Sequence, residues 1–461
     1  MRNRTFFEGV GLWRGGARSP ALYTHTFSTY RQTFGIFRQE PHGRPQNAFE
    51  NDTNTFAMAS YIHVPDEAPA VPKIDVTVDD GDCRPGALKL LKELRPSWKP
   101  SEVKIKIFTD GITNKLLGCY VGSVLQDVVL VRIYGNKTEL LVDRENEVKS
   151  FRVLHAHRCA PQLYCTFNNG LCYEFLQGAA LEPQHIRHQP LFRLIARQLA
   201  KYHAIHAHNG WVPQSDMWVK MGKYLALISK YRRELDQNHR LSSDVPSLQC
   251  LRKELVWLQQ SLTVLGSPVV LCHNDLLCKN IVYNQREGSV KFIDYEYAGY
   301  NYQAFDIGNH FNEFAGLNEV DYSYYPDRPV QLLWLRSYLE AYKQLKGQGS
   351  DVTDAEVETL YVQVNKFALA SHFFWGLWAL IQAEFSTINF DFLGYVWVLT
   401  AEQYTPSRKA GWYCGCRCTF MCRVHFYPGA DAACSVCRYA VLRFNQYFKM
   451  KPEAAALSLP K

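Results

Sequence analysis

Residues 271–296 read LCHNDLLCKNIVYNQREGSVKFIDYE. A short apolar run, Val269 to Leu271, ends in His273, Asn274 and Asp275, and Asn280 follows. A second apolar run, Val290 to Ile293, then delivers Asp294, Tyr295 and Glu296. Two acids and an amide at these spacings read as phosphoryl-transfer machinery. A magnesium-bound nucleoside triphosphate needs hard oxygen ligands on fixed backbone, and the acceptor hydroxyl needs a carboxylate beside it. Asp275 is the candidate for the hydroxyl, Asn280 and Asp294 for the metal.

The surrounding chain is long enough to bury a large core. It has 461 residues, 47% of them apolar, and this length allows two or more lobes. A net charge of +7 spread along the chain calls for no nucleic-acid partner. The longest apolar stretch, Ala368 to Ile381, is broken by Ser371 and His372 and is short for a bilayer, so no transmembrane helix is expected. Fourteen cysteines without a secretory leader pattern point to a reducing, cytoplasmic setting. Eight of them lie in or beside apolar runs, where a thiol acts as a small hydrophobe.

Residues 1–60 carry arginines, no lysine and few acids, with Gly and Pro breaking any periodicity. That is the composition of a disordered arm. It is shared with mitochondrial targeting segments, but without their amphipathic stripe. From Tyr61 to about residue 177 the pattern is strand-rich. Ile74 to Val78 alternates, Gly86 to Leu94 has helical spacing, and three strand-like runs follow at Val103 to Phe108, Leu116 to Val124 and Val128 to Tyr134. The turn between the first two holds Gly111, Thr113 and Asn114; it reads either as a hairpin turn or as a cover for phosphates. Arg132 interrupts the third run, and a buried arginine needs an anion, for which Glu147 in the next helical segment is available.

From residue 178 the chain reads mainly helical: Leu191 to His208, Met217 to Tyr231, Leu248 to Leu265, Val330 to Leu345 and Val357 to Ala383. His203, His206 and His208 lie together with no nearby Cys or acid in sequence to complete a metal set. Trp375 and Trp378 share a helix face, a pattern that serves core packing or walls a pocket for an ammonium group.

These strings together, FTDGITNKL, VLVRIYGNKTELLVDR, CHNDLLCKNI, FIDYEYAGYNY and FDIGNHFNEFAG, resemble the choline and ethanolamine kinase family, whose fold is similar to that of protein kinases. The resemblance covers about residues 61–395 and resumes over 439–459. It implies an α+β, two-lobed fold: a nucleotide-binding lobe at 61–177, a catalytic and substrate lobe at 178–395, and a final helix and tail at 439–461. It implies ATP and magnesium as cofactors and phosphorylation of ethanolamine, with choline as the alternative acceptor, on the route to phosphatidylethanolamine. Asp275 would accept the hydroxyl proton, and Asn280 and Asp294 would hold magnesium. Gly111, Thr113 and Asn114 would cover the phosphates. Arg132 would replace the strand lysine of protein kinases and pair with Glu147, and Glu174 to Leu176 would meet adenine. Asp306 would support the catalytic loop. Tyr297, Glu313, Trp375, Trp378 and Phe392 would form the amino-alcohol pocket. A homodimer is compatible with all of this.

The family pattern breaks at residues 396–438, about 43 residues between Tyr395 and Tyr439 that hold six cysteines. Cys434 and Cys437 have the spacing of a zinc pair, whereas Cys414, Cys416, Cys418 and Cys422 are too close for paired knuckles. The segment is therefore expected as a loop. Tyr395 and Tyr439 compete for one aromatic place in the pocket, and an impaired isoform acting through binding or dimerisation is the alternative if the last helix cannot dock.

Overall fold

A computed structural model of the chain describes residues 71–108, 114–122, 127–135, 138, 141–205, 213–237, 244–316, 320–385 and 435–460. The arm, Gly111, Thr113, Phe392, Tyr395 and the Cys-rich segment up to residue 434 lie outside the described residues, as do His206 and His208.

The first part of the chain runs through β1 (Lys73–Ile74), α1 (Cys83–Leu94), β2 (Lys104–Phe108), β3 (Asn114–Tyr120), β4 (Val128–Tyr134), α2 (Arg144–Ala156), β5 (Leu163–Phe167) and β6 (Gly170–Glu174). Its strands form one six-stranded sheet in the order β1-β5-β6-β4-β3-β2. The strand expected over Ile74 to Val78 is only two residues long. Beyond it the Asn169 side chain takes over the pairing, accepting from Val78 N at 3.0 Å and donating to Val78 O at 2.8 Å.

Alternation along β4 decides where Arg132 points. Val129, Val131 and Ile133 join Ala87, Leu90 and Leu91 of α1 in one buried cluster. Successive side chains of a strand take opposite faces, so Leu130 and Arg132 are turned to the other side. There α2 supplies Glu147, Ser150, Phe151 and Leu154 as its buried face.

The rest of the chain is mainly helical, as expected. It comprises β7 (Ala179–Ala180), α3 (Pro183–Ile186), α4 (Gln189–His203), α5 (Met217–Gln237), α6 (Leu248–Thr263), β8 (Val269–Cys272), β9 (Ile281–Asn284), β10 (Ser289–Phe292), β11 (Gly299–Tyr302), α7 (Gln303–Asn312), α8 (Arg328–Leu345), α9 (Asp354–Phe385) and α10 (Ser435–Ala456). β9 and β10 pair as a hairpin and β8 pairs antiparallel with β11. The loops 273–280 and 293–298 thereby leave neighbouring strands side by side. Of the eight cysteines between Cys83 and Cys278, seven are buried, and all eight are free thiols.

α9 is apolar around most of its circumference, the signature of a helix enclosed by others. Phe367 to Ala370, Phe373 and Leu377 to Ile381 are buried in the core. No helix among the described residues is long and apolar enough to cross a membrane. α10 begins at Ser435, four residues ahead of the expected boundary at Tyr439, and Ala440, Phe444 and Tyr447 bury one face against α9. The Phe444 ring lies over Gly376, where an added Cβ would stand 2.8 Å from it. Tyr447 and Lys451 both bond the Glu254 carboxylate of α6. The last helix therefore docks beyond the Cys-rich segment.

α7 and α9 approach closely at Gly308, where an added Cβ would lie 2.8 Å from Val364 O and 2.9 Å from Ala368 N. Both are backbone atoms of a helix and cannot turn away. Gly308→Ala is expected to lower the unfolding free energy by about 1–3 kcal/mol in urea titrations; stability equal to wild type would show that the two helices separate freely.

Candidate active site

Asp306 on α7 fixes the loop after β8. Its carboxylate accepts from His273 N at 2.8 Å, Asn274 N at 2.7 Å and His203 Nε2 at 2.9 Å. His203 Nδ1 in turn lies 2.6 Å from the Tyr338 hydroxyl. Burial alone would raise the Asp306 pKa, but the hydrogen bond and charge of His203 and the His273 amide hold it below the ordinary carboxylate value. His203, Asp306 and Cys272 come within 4.8 Å of one another, so an acid and a thiol distant in sequence approach His203. The Asp306 oxygens are already committed to three N–H donors, which makes this trio a loop support. The expectation that Asp306 stands behind the loop agrees with this geometry.

His273 ties the two loops together. Its Nε2 is 2.9 Å from Ile293 O and its Nδ1 accepts from Asp275 N at 3.3 Å. A carbonyl can only accept, so the proton sits on Nε2. Burial lowers the His273 pKa and keeps the ring neutral. Asn274 (φ 66°) and Asp294 (φ 68°) both adopt the left-handed conformation, which Asn and Asp tolerate better than most residues. Asn274 is held there by donating to Tyr297 O at 2.9 Å and accepting from Asn301 Nδ2 at 2.8 Å.

Asn280 Nδ2 donates to Asp275 O at 2.9 Å and to Asp275 Oδ2 at 3.3 Å. This leaves the amide oxygen as the acceptor end of Asn280. Burial raises Asp275 well above the ordinary carboxylate range; Asp294, Glu313 and Glu296 push it further, and Arg443 pulls it down. An excess of carboxylates here is what a divalent cation and an ammonium ion would relieve.

Arg132 faces Glu147 Oε1 at 3.1 Å, Asp294 Oδ1 at 2.9 Å and Glu296 Oε2 at 2.8 Å. The pairing of Arg132 with Glu147 thus follows the sequence expectation, with two further anions added. Asp294 Oδ1 is buried and accepts no hydrogen bond of good geometry. A hard carboxylate oxygen held by Arg132, on the segment that Ile293 N ties to Asn280 O at 2.9 Å, fits a magnesium ion. Glu296 also accepts from Asn114 Nδ2 at 3.0 Å, so the first residue of β3 reaches the same cluster.

The aromatic side of the site is set by α7 and α9. Trp378 Nε1 donates to the Tyr297 hydroxyl at 2.8 Å, and Trp375 packs edge-on against both Tyr297 and Trp378, with centroids 5.2 and 5.4 Å away. Asn309 orients this wall by accepting from Trp375 Nε1 and Ser371 Oγ, each at 2.8 Å. The buried acid Glu313 is paired with Arg443 of α10. Arg443 also donates to the Tyr439 hydroxyl through Nε at 2.8 Å. Tyr439 thus bonds the same guanidinium that pairs with Glu313; its competitor in sequence, Tyr395, lies outside the described residues.

The adenine candidates lie at the end of β6. Glu174 ends β6 and is exposed, its side chain accepting from Gln162 N at 3.1 Å. Leu176 follows it, half-buried. Conversely, Arg144, Asn309 and Arg443 were not singled out by sequence, and Glu296 was given no role. Only Arg144 left a local trace, standing three residues before Glu147 in a helix that opens after a capping Asp143.

The family model described as Choline/ethanolamine kinase matches residues 105–404. Ethanolamine kinase 1 of Mus musculus is 62% identical over 407 residues, 88% of this chain and 100% of the relative. The solved ethanolamine kinase of Plasmodium vivax superposes with a TM-score of 0.57 at 30% identity, covering 65% of this chain and 81% of that one. A choline kinase from Cryptosporidium parvum gives a TM-score of 0.60 at 20% identity over 80% and 95% of the two chains, a likeness of fold.

Because three donors converge on Asp306, Asp306→Asn turns an amide N–H₂ toward at least one of them and is expected to cost about 3 kcal/mol. The folded pKa is depressed, so this contribution is present above the ordinary carboxylate value and is lost as pH falls through the depressed one. Urea unfolding at neutral and acid pH should show the gap between wild type and variant closing in acid; a gap independent of pH would contradict it.

Proposed function

The chain belongs to the choline/ethanolamine kinase family, and from that premise we infer that it transfers the γ-phosphoryl group of ATP to the hydroxyl of ethanolamine, giving phosphoethanolamine and ADP. The observation that carries this reading is the junction of Asn280 with Asp275 on one loop. Asn280 Nδ2 donates to Asp275 Oδ2 at 3.3 Å, which supports a hydroxyl-facing role for the carboxylate and a metal-facing role for the amide oxygen.

In this reading Asp275 orients the acceptor hydroxyl and takes its proton. The hydroxyl oxygen bonds to the γ-phosphorus while the bond to the β,γ-bridging oxygen breaks. Asn280 and Asp294 hold magnesium, which when bound neutralises phosphate charge. Arg132 faces the phosphates, Gly111, Thr113 and Asn114 cover them, and Glu147 steadies Arg132. Glu174 to Leu176 meet adenine. Tyr297, Trp375, Trp378 and Phe392 present ring faces to the ammonium, and Glu313 the counter-charge. A primary ammonium has three N–H donors for such acceptors, and a quaternary one has none. The relatives therefore decide for ethanolamine over choline where ring faces alone do not. The product would feed phosphatidylethanolamine synthesis in the cytoplasm.

The alternative of an impaired isoform required a last helix that cannot dock. Burial of Phe444 and Tyr447 on α9 weighs against it.

Turnover of ATP with ethanolamine is the direct test, and its absence from folded protein would defeat the proposal. Asp275→Ala should lower kcat by about a thousandfold or more while leaving nucleotide affinity within about twofold. Glu313→Gln should raise KM for ethanolamine about tenfold and leave KM for ATP unchanged. Both are read from steady-state kinetics, and a shared rise in the two KM values would remove Glu313 from the acceptor pocket.

A further inference from the structure

The acid that is to meet the ammonium group is already paired. Arg443 donates to Glu313 through Nη2, and the bond goes to Oε1. A guanidinium and a carboxylate commonly join through two parallel hydrogen bonds. Here there is one, and among the described residues no donor bonds Glu313 Oε2.

The rest of the guanidinium is engaged elsewhere. Its Nε and Nη2 donate to the Tyr439 hydroxyl at 2.8 and 2.6 Å, and its Nη1 lies 3.4 Å from His372 Nδ1. Arginine can only donate, so Nδ1 is the acceptor and the ring proton sits on Nε2. His372 is fully buried, and its Nε2 has no hydrogen-bond partner among the described residues. Leaving an N–H unpaired in the core is unfavourable, so this polar ring acts through Arg443 and not through a satisfied network of its own. Burial and the charge of Arg443 hold its pKa well below the ordinary histidine value, which keeps Nδ1 free of a proton. The Tyr322 ring packs edge-on against the imidazole, with centroids 5.3 Å apart and planes at 79°. Trp375 stands three residues further along α9, on the same face. One helix face therefore supplies both the aromatic wall and the acceptor that turns Arg443.

Without an acceptor at Nδ1, Nη1 would be drawn to the remaining carboxylate oxygen of Glu313 and complete the two-bond pair. Oε2 would then be closed to the ammonium. We propose that His372 is a positioning residue for acceptor specificity: it holds Arg443 to one oxygen of Glu313 and so leaves the other for an N–H of a primary ammonium. The assignment rests on the counter-charge role given to Glu313 above. His372 touches no reacting atom.

The test is equilibrium titration of the full chain with ethanolamine and with choline, in the presence of magnesium and a non-hydrolysable ATP analogue. His372→Gln moves the acceptor away from the place of Nδ1 and should weaken ethanolamine binding about tenfold, the scale of one charge-assisted hydrogen bond. Choline has no N–H for Oε2 and should change by about twofold or less. His372→Asn puts an amide oxygen at the place of Nδ1 and should restore most of the ethanolamine affinity. A purely structural role would lower thermal stability and weaken both amines together. Should His372→Gln fail to fold, His372→Phe keeps a ring against Tyr322 without the acceptor and should show the same selective loss. Unchanged affinity, an equal loss for both amines, or His372→Asn no better than His372→Gln would overturn the proposal. Wild-type protein that binds neither amine would defeat the acceptor role of Glu313 and this inference with it. Wild-type protein that binds ethanolamine without phosphorylating it would defeat the proposed function and leave this inference to its own result.

Discussion

The carboxylate of Asp306 is the constraint on which the site depends. Two consecutive backbone N–H groups, of His273 and Asn274, point at it, and such an arrangement forces the chain to turn sharply where β8 ends. Asn274 meets that demand in the left-handed conformation, and Asp275 follows it, half-buried. His273 passes the constraint on to the second loop through Ile293 O. One buried anion thus governs two loops that share no covalent neighbour. Its own position is secured by α7, every residue of which is buried.

Above this support the site is an exercise in opposing charges. The carboxylates outnumber the guanidinium groups around Arg132, and Asp275 is driven upward by burial and by three further acids. Burial likewise pushes Glu147 up, while Arg132 and Arg144 draw it down. An assembly of this kind is short of positive charge, and the two cations that the proposed reaction brings, a metal with its nucleotide and an ammonium group, are what it lacks. The arginines keep the anions buried in the meantime.

Much of this was legible in residues 271–296, because chemistry there is written in consecutive positions. The strands of the first sheet were legible from alternation, and Arg132 from its intrusion into an apolar run. Gly308 and Asn309 were not, since a glycine that lets two helices touch and an amide that orients a tryptophan look like any other polar or small residue on a helix. Arg443 was hidden for a different reason. It is 130 positions from Glu313, and no periodicity links residues on separate helices. The two-residue length of β1 was equally hidden, because a side-chain amide from Asn169 replaced the backbone partner that alternation would suggest.

The separation of Glu313 from Arg443 also orders events during synthesis. A chain emerging from the ribosome completes α7 and the carboxylate of Glu313 well before α10 exists, and earlier segments fold first. Until Arg443 arrives, that carboxylate lacks the guanidinium that pairs with it in the finished fold. The nascent protein therefore acquires its nucleotide end first and its acceptor end last, when the final 20 or so residues close over α9.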